Sequence, residues 1–210
     1  ARTSRALSCR FATMRPLAAQ DLLEKVRSSN LTMDIEQTIR IRRSIRQYDS
    51  KAIPDATIEE ILDLVRHSPS SMNGQPWQFV VVRDPMVKEQ IAAAKNAHCP
   101  PDKAQFTADF LTHAPVVVAI CVDKGRSHHR EKENGILAAA TLMLAATDRG
   151  LGSVYLSAYQ SSDTRLQEDL REILVLPAEI EPVTLIPLGY PAETPDEKAI
   201  RPLVEMIRYV

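Results

Sequence analysis

Four short apolar runs, separated by segments with helical periodicity, constrain the fold of this chain more than any other feature. The runs are FVVV, PVVVAICV, SVYL and VTLIPLGY, at residues 79–82, 115–122, 153–156 and 183–190. Their length and their β-branched residues predict buried strands. Between them, apolar residues recur with helical spacing over residues 57–65, 86–96, 134–148 and 164–174. Because strands and helices mix without a strict βαβ repeat, the pattern favours the α+β class.

Local signals predict where two of these helices begin and end. The tetrapeptide Thr57–Glu60 has the form of a capping box, so the first helix is predicted to start there. Gly150 follows the long small-residue helix and is predicted to end it.

Composition and charge exclude several classes of protein. The chain has 210 residues, 44% of them hydrophobic, which is enough for one well-buried core. Its 26 basic and 27 acidic residues give a net charge of -1, which disfavours a nucleic-acid-binding protein. No apolar run approaches the roughly 18 residues that a membrane-spanning helix needs. The three widely spaced cysteines form no CxxC pair, so no disulfide framework or metal site is predicted from them.

The first 32 residues differ in composition from the rest, so we predict an N-terminal extension at 1–32 and one domain at 33–210. Four arginines, two serines and no acid lie in residues 1–20. That composition resembles a mitochondrial presequence, which would direct the protein to mitochondria. The alternative is an extension without function. The cysteine content favours a reducing compartment, and the expected location is then the cytoplasm.

The stretch SPSSMNGQPWQF, residues 68–79, has the features of a shaped polar loop. Pro69 closes off the preceding helix, and Asn73-Gly74 tolerates positive φ. Pro76 is expected to hold Gln75 in extended geometry. The loop is thus predicted to place small hydrogen-bonding groups against a polar, planar ligand, with Trp77 anchoring it in the core.

Two basic clusters are candidates for binding one anion. Arg40, Arg42, Arg43 and Arg46 surround Ser44 in RIRRSIRQY, and guanidinium groups fork onto phosphate oxygens. Lys198 and Arg201 follow the last predicted strand. The alternative interpretation is a solvated helix end for the first cluster and ordinary surface charges for the second.

Several common catalytic sites are missing from the sequence. Gly150-Leu151-Gly152 follows a helix instead of preceding one, so it is not a dinucleotide fingerprint. There is no GxxxxGK[ST] phosphate loop and no GxSxG serine nucleophile. His128-His129 lies in a charged run without spaced acids, and no metal site is predicted. Phosphate donors without a nucleophile or an acid-base pair indicate that a cofactor performs the chemistry.

In order and spacing, four segments of the chain resemble the FMN-dependent nitroreductase family. They are RRSIRQY, SPSSMNGQPWQF, GLGSVYL and the C-terminal GYP with its following Lys and Arg, and the resemblance runs from about residue 33 to the end. It implies an α+β nitroreductase-like fold with a central, mostly antiparallel sheet flanked by helices. It also implies an interlocked homodimer that binds FMN at its interface.

The resemblance assigns cofactor-binding roles to particular positions. Arg42, Arg43, Ser44 and Arg46 would hold the FMN phosphate and ribityl chain, with Arg201 and Lys198 on the phosphate side. The loop residues Pro69, Ser70, Ser71 and Asn73 would contact the ring system from the other subunit. Gln105 would reach the ribityl hydroxyls, and Ser157 and Ala158 would lie against the reactive side of the ring. Several relatives carry a Glu-Gly pair where this chain has Ser157-Ala158.

The function that this resemblance implies is NAD(P)H-dependent reduction of small acceptors. NADH or NADPH would give hydride to FMN and leave, and a nitroaromatic or quinone would then accept it. Alternatives within the fold are dehalogenation, flavin cleavage or oxidation of a peptide heterocycle. An alternative of another class is a flavin-binding or regulatory protein without turnover.

Overall fold

The computed structural model describes residues 34–100, 103, 105–160 and 163–210; the predicted extension at 1–32 lies outside them. The described helices are α1 (Ile35–Ile41), α2 (Asp55–Val65), α3 (Pro85–Ala97), α4 (Phe110–His113), α5 (Glu131–Asp148) and α6 (Arg165–Ile173). The described strands are β1 (Trp77–Val82), β2 (Val116–Asp123), β3 (Gly152–Ser153), β4 (Leu156–Ser157) and β5 (Ile180–Gly189). Short 3-10 turns span Ser71–Asn73 and Leu203–Glu205.

The strands form one antiparallel sheet in the order β1-β2-β5-β3, and β4 also pairs with β5. This confirms the predicted α+β class and the mostly antiparallel sheet. The SVYL run, predicted as one strand, is instead divided. β3 pairs with Gly189 and Leu188, whereas β4 pairs with Leu185 and Thr184, and the chain leaves the ladder between them.

Helices cover both faces of the sheet, which explains why its central strands are apolar without alternation. On β2, Val117, Ala119 and Cys121 face one core cluster, which also holds residues of α3, α4 and α6. The alternate residues Val116, Val118 and Ile120 face a second cluster with residues of α2 and α5. All six side chains are fully buried. Burial of each valine or isoleucine among them contributes about 1.5–3 kcal/mol to stability.

The two predicted helix boundaries had different outcomes. α2 begins at Asp55 with Pro54 as its N-cap, so the predicted capping box at Thr57 is wrong. The fixed φ of Pro54 starts the helix earlier, and the Thr57 N–H donates to the Pro54 carbonyl at 3.1 Å. The prediction for Gly150 is confirmed: its φ is 70°, and the next residue, Leu151, donates to the Ala146 carbonyl at 2.9 Å.

No helix among the described residues is both long enough and apolar enough to cross a membrane.

Candidate active site

The segment that carries Arg42, Arg43, Ser44, Ile45 and Arg46, here called the arginine segment (residues 42–46), lies beside the end of the sheet. It follows α1, and Ser44 forms a parallel bridge with Ser153 of β3. The Ile45 N–H donates to the Ser153 carbonyl at 3.0 Å. Backbone hydrogen bonds thus fix the arginine segment to a rigid element.

Two glycines allow this close approach of the chain to the sheet. A Cβ atom on Gly152 would lie 2.8 Å from the side chain of Ile45, and one on Gly189 would lie 2.7 Å from the Tyr48 ring. Tyr48 itself is held in place, because its hydroxyl donates to the Ile45 carbonyl at 2.5 Å. The glycines of GLGS and GYP therefore pack against the arginine segment and the residues just after it.

The side chains of Arg42, Arg43 and Arg46 form no ion pair among the described residues, whereas Arg40 pairs with Glu36 at 2.7 Å. One carboxylate lies close to the backbone of this region. Glu193 Oε1 accepts from the N–H groups of Arg46, at 2.5 Å, and of Gln47, at 3.1 Å. Three half-buried or exposed guanidinium groups therefore remain able to bind an anion.

A pair of phenylalanines connects the arginine segment to a cavity. The Arg46 guanidinium lies over the ring of Phe110, 6.0 Å from its centroid. Phe110 in turn makes an edge-on contact with Phe106, with 6.3 Å between the ring centroids. Phe106 lines the cavity that also contains Ser157 and Ala158.

This cavity has a volume of about 370 Å³, which falls within the range of small-molecule sites. Its wall combines aromatic and aliphatic side chains with polar and basic groups. The wall includes Lys95, His98, Cys99, Lys103, Phe106, Tyr155, Leu156, Ser157, Ala158, Tyr159, Gln160 and Leu166. Ala158 is fully buried and its N–H donates to the Val183 carbonyl at 2.9 Å. The predicted residues Ser157 and Ala158 thus lie at a cavity rather than on the outer surface.

Lys95 makes a direct contact with this predicted pair. Its Nζ donates to the Ser157 carbonyl at 2.7 Å. Burial lowers the pKa of Lys95, the nearby Cys99 thiol raises it, and the like charge of Lys103 lowers it. A second polar pair borders the cavity, since His98 Nε2 lies 2.7 Å from the Asp169 carboxylate.

The Ser70–Gln75 loop has an irregular backbone, as its sequence indicates. The residues with positive φ are only partly those predicted. Met72, Asn73 and Gln75 have φ values of 49°, 53° and 46°. The predicted extended geometry at Gln75 is therefore wrong; the Gln75 N–H turns back and donates to Ser70 Oγ at 3.0 Å. Trp77 is half-buried against the α2–α5 core cluster, which agrees with the predicted anchor.

Other predicted residues are not brought together within one chain. Gln105 and Lys198 are exposed, and Arg201 pairs with Glu205 at 3.4 Å. Among the described residues, no hydrogen bond or ion pair joins Lys198 or Arg201 to the arginine segment. The described residues also show no such contact between the Ser70–Gln75 loop and the arginine segment. The predicted roles of Pro69, Ser70, Ser71, Asn73, Gln105, Lys198 and Arg201 therefore stay predictions.

Sequence reasoning missed Lys95, Phe106, Phe110 and Asn134, which support the site. Phe106 lies in the loop before α4 and Phe110 is the first residue of that helix, so no helical spacing marked their contact in the sequence. Lys95 and Asn134 carried no signal, because each acts through a backbone group distant in sequence.

The part of the chain that the structure describes contains no group of three histidine, cysteine or acidic residues that could bind a metal ion.

Comparison with known proteins identifies the family. The Nitroreductase family model matches residues 39–190. A protein of Methanothermobacter thermautotrophicus named "Putative NADH dehydrogenase/NAD(P)H nitroreductase" is 34% identical over 169 residues, covering 78% of this chain and 80% of that protein. These names support an oxidoreductase.

Solved structures agree in fold. A Bacteroides thetaiotaomicron protein of the same name superposes with a TM-score of 0.73 at 31% identity, covering 85% of this chain and 98% of its own. An FMN-dependent nitroreductase from Clostridium difficile superposes with a TM-score of 0.66 at 25% identity, covering 77% and 90%. The chain belongs to the nitroreductase family.

Proposed function

We propose that the protein is an FMN-dependent oxidoreductase that takes hydride from NADH or NADPH and reduces nitroaromatic, quinone or similar acceptors. The observation that carries the proposal is the arginine segment, whose Arg42, Arg43 and Arg46 side chains have no carboxylate partner among the described residues. A dianionic phosphate is the ligand that such a group of guanidinium donors suits. The FMN-dependent relative supports the same cofactor.

The residues present fit a flavin mononucleotide. Arg42, Arg43 and Arg46 supply donors for the phosphate, and the half-buried Ser44 adds a hydroxyl. The contacts from Arg46 through Phe110 to Phe106 lead to the aromatic-lined cavity at Ser157 and Ala158. When bound, FMN would supply the hydride-carrying ring that the side chains lack.

Within this site, the protein's own groups bind, orient and exclude water. The arginine segment would hold the phosphate, and Gln105 would hold the ribityl hydroxyls. Ser157 and Ala158, held by Lys95 and by the Val183 carbonyl, would form a rigid wall at the reactive side. The nicotinamide and the acceptor would both stack on the same open face of the bound ring. Oxidised nicotinamide would therefore have to leave before an acceptor enters, which is a ping-pong order.

We propose further that the working unit is a homodimer, because one chain leaves large apolar side chains in water. Ile35 and Ile39 of α1 are 65% and 57% exposed, and Ile136 and Leu137 of α5 are also exposed. Exposed apolar residues continue along the C-terminal segment: Ile200, Leu203, Val204, Met206, Ile207, Tyr209 and Val210. Apolar surface of this extent is typical of an interface. A partner chain would also bring in a Ser70–Gln75 loop, with Pro69, and the Lys198 and Arg201 side chains.

An absorbance spectrum of the purified protein, followed by NADH or NADPH addition under nitrogen, tests the proposal. We expect a yellow protein that releases FMN, not FAD, on denaturation and whose bound flavin is bleached by the donor. A nitroaromatic, a quinone and a halogenated phenol, added next, should show which acceptor restores the colour. Bound flavin that no donor bleaches would indicate a flavin-binding protein without turnover. A protein that takes up no FMN would refute the proposal.

A further inference from the structure

We infer that Asn134 is a positioning residue that sets the conformation of the Ser70–Gln75 loop for its contact with the flavin ring. The inference rests on the proposed function, which gives that loop a role in flavin binding. It concerns a residue in the first turn of α5 that lies outside the arginine segment and the cavity.

Asn134 ties together three segments of the chain. It is 1% exposed, and its Oδ1 accepts from the Ser71 N–H at 2.9 Å. Its Nδ2 donates to the Ser127 carbonyl at 3.0 Å. Its own carbonyl accepts from the indole Nε1 of Trp77 at 3.1 Å. One residue thus holds the loop, the strand that follows the loop, and the turn before α5.

The loop needs such support because its backbone is in a sparsely populated conformation. Met72, Asn73 and Gln75 all have positive φ, between 46° and 53°. Conformations of this kind persist only where the surrounding structure holds them. Within the loop itself, the support includes Ser70 Oγ, which accepts from the Gln75 N–H, and the Asn73 N–H, which donates to the Ser70 carbonyl at 3.1 Å.

The turn before α5 packs directly on the loop, so fixing one fixes the other. Arg126 Nε donates to the Gly74 carbonyl at 3.0 Å. A Cβ atom on Gly74 would lie 2.1 Å from the Arg126 carbonyl oxygen, so the two backbones are in close contact. Ser127, whose carbonyl Asn134 binds, also donates from its hydroxyl to Glu131 at 2.5 Å. The charged or titratable residues around this region include Arg126, His128 and Glu131, together with Arg130, whose carbonyl accepts from the Asn134 N–H at 2.9 Å.

An amide fulfils both side-chain roles of Asn134 at any pH, because it presents one acceptor and one donor without charge. Alanine would leave the Ser71 N–H and the Ser127 carbonyl without this partner. An ionised aspartate would still accept from Ser71 but would oppose the Ser127 carbonyl. A protonated aspartate would restore both hydrogen bonds.

The test compares FMN with riboflavin in Asn134→Ala, Asn134→Asp and wild-type protein, each confirmed as folded by its melting temperature. Because the loop contacts the ring rather than the phosphate, Asn134→Ala should weaken FMN and riboflavin by the same factor, at least tenfold. Ile61→Val serves as a stability control: it removes one methylene from the core on α2 and leaves every hydrogen bond of Asn134 in place. Its flavin affinities should stay within twofold of wild type.

The Asn134→Asp protein supplies a signature that a general loss of stability does not produce. We expect burial beside Glu131 to raise the pKa of a carboxyl group introduced at this position. The flavin affinity of Asn134→Asp is divided by that of the wild type at each pH. As the pH is lowered from 8 to 5, this ratio should therefore rise about tenfold. The ratio for Asn134→Ala should stay constant, and this comparison cancels the titration of the FMN phosphate.

Two results would overturn the inference: flavin affinities within twofold of wild type in both Asn134 variants, or loss of FMN binding with riboflavin binding retained. Failure of the proposed function looks different, because the wild-type protein would then bind neither flavin.

Discussion

A Cβ atom on Gly152 would lie 2.8 Å from the Cβ atom of Ile45, closer than such atoms approach in real proteins. The missing side chain at Gly152 is what lets Ile45 pack on β3. Ile45 is 6% exposed and lies between Ser44 and Arg46. The glycine of GLGS therefore determines where the arginine segment sits, although it donates nothing to a ligand.

Replacing Gly152 with alanine should therefore destabilise the protein. The new methyl group meets the branched part of Ile45, which cannot rotate away, so overpacking should cost about 1–3 kcal/mol. Urea unfolding followed by circular dichroism measures this free energy. Displacement of the arginine segment should also weaken FMN binding.

Gly125→Ala is the matched control, because among the described residues its new methyl group would closely meet only a side-chain oxygen of Asp123, at 3.2 Å. Its free energy of unfolding should change by no more than about 0.5 kcal/mol. Equal stability of the two alanine variants would show that the contact with Ile45 is not tight.

Much of the fold could be predicted from the sequence because its central strands are buried on both faces. The continuous apolar runs of β2 and β5 left little ambiguity, and the helices between them kept their predicted extents to within a few residues. The divided strand at residues 152–157 could not be predicted. Tertiary contacts decide which part of β5 pairs with each half, and the local sequence does not encode them. The start of α2 was wrong because the Pro54 backbone outweighed the side-chain signal of Thr57.

The candidate site could be predicted only where residue type carries the chemistry. The arginines around Ser44 predict phosphate binding from residue type alone, which stays a prediction, and Ser157 and Ala158 came from the family resemblance. Asn134 and Lys95 act by bonding to backbone groups more than 60 positions away along the chain. No local pattern encodes such contacts, so only the folded structure revealed them.

Arg46 and Arg201 are predicted to bind the same phosphate, although one chain does not bring them into contact. A charged hydrogen bond is worth roughly 1.5–3 kcal/mol, so Arg46→Ala and Arg201→Ala should each weaken FMN binding about 10- to 150-fold. Riboflavin lacks the phosphate, and its affinity should hardly change. Isothermal titration with both ligands measures the two effects.

Arg40→Ala provides the control for these arginines. Its ion pair with Glu36 is exposed, with 73% of the Arg40 side chain accessible, and such pairs are worth little. FMN affinity should therefore be unchanged in this variant. Equal loss of riboflavin and FMN in Arg46→Ala would contradict the assignment to the phosphate.

If the exposed apolar residues of the C-terminal segment pack on a partner chain, a charge there should dissociate the dimer. Leu203 and Val204 are 68% and 81% exposed in one chain. Leu203→Glu combined with Val204→Glu should shift light-scattering mass from dimer to monomer and release FMN with it. Met86→Glu, on the exposed surface of α3, should leave the mass unchanged. A wild-type monomer that retains FMN would exclude the two-subunit site.

Burial raises the pKa of the Cys121 thiol from 9.0 to about 12, with a smaller contribution from Glu181. The unfolded chain then releases this proton before the folded chain does. The contribution of Cys121 to stability is therefore constant below pH 9 and declines as the pH rises from 9 toward 12. Unfolding free energies measured between pH 8 and pH 10.5 should fall more steeply in the wild type than in Cys121→Ala. Parallel curves would show that the thiol ionises freely in the folded protein.

Two lysines of α3 each donate a hydrogen bond to a backbone carbonyl, but in different parts of the fold. Comparing variants of the two lysines separates a role in the site from a role in stability. Lys95 Nζ donates to the Ser157 carbonyl at 2.7 Å, whereas Lys88 Nζ donates to the Ala114 carbonyl at 2.8 Å. Burial lowers the pKa of both amino groups. Of these two lysines, Lys95 borders the cavity beside Ser157 and Ala158 and Lys88 does not. Methionine at either position keeps the length of the side chain and removes the donor, so both variants should lose stability by a similar amount, about 1.5–3 kcal/mol.

Lys95→Met should in addition release Ser157 from its fixed position and lower kcat/KM for a quinone acceptor about tenfold, which corresponds to about 1.4 kcal/mol of transition-state stabilisation. Lys88→Met should keep kcat/KM within about twofold of wild type when assayed well below its melting temperature. An equal loss of kcat/KM in both variants would mean that Lys95 contributes only to stability.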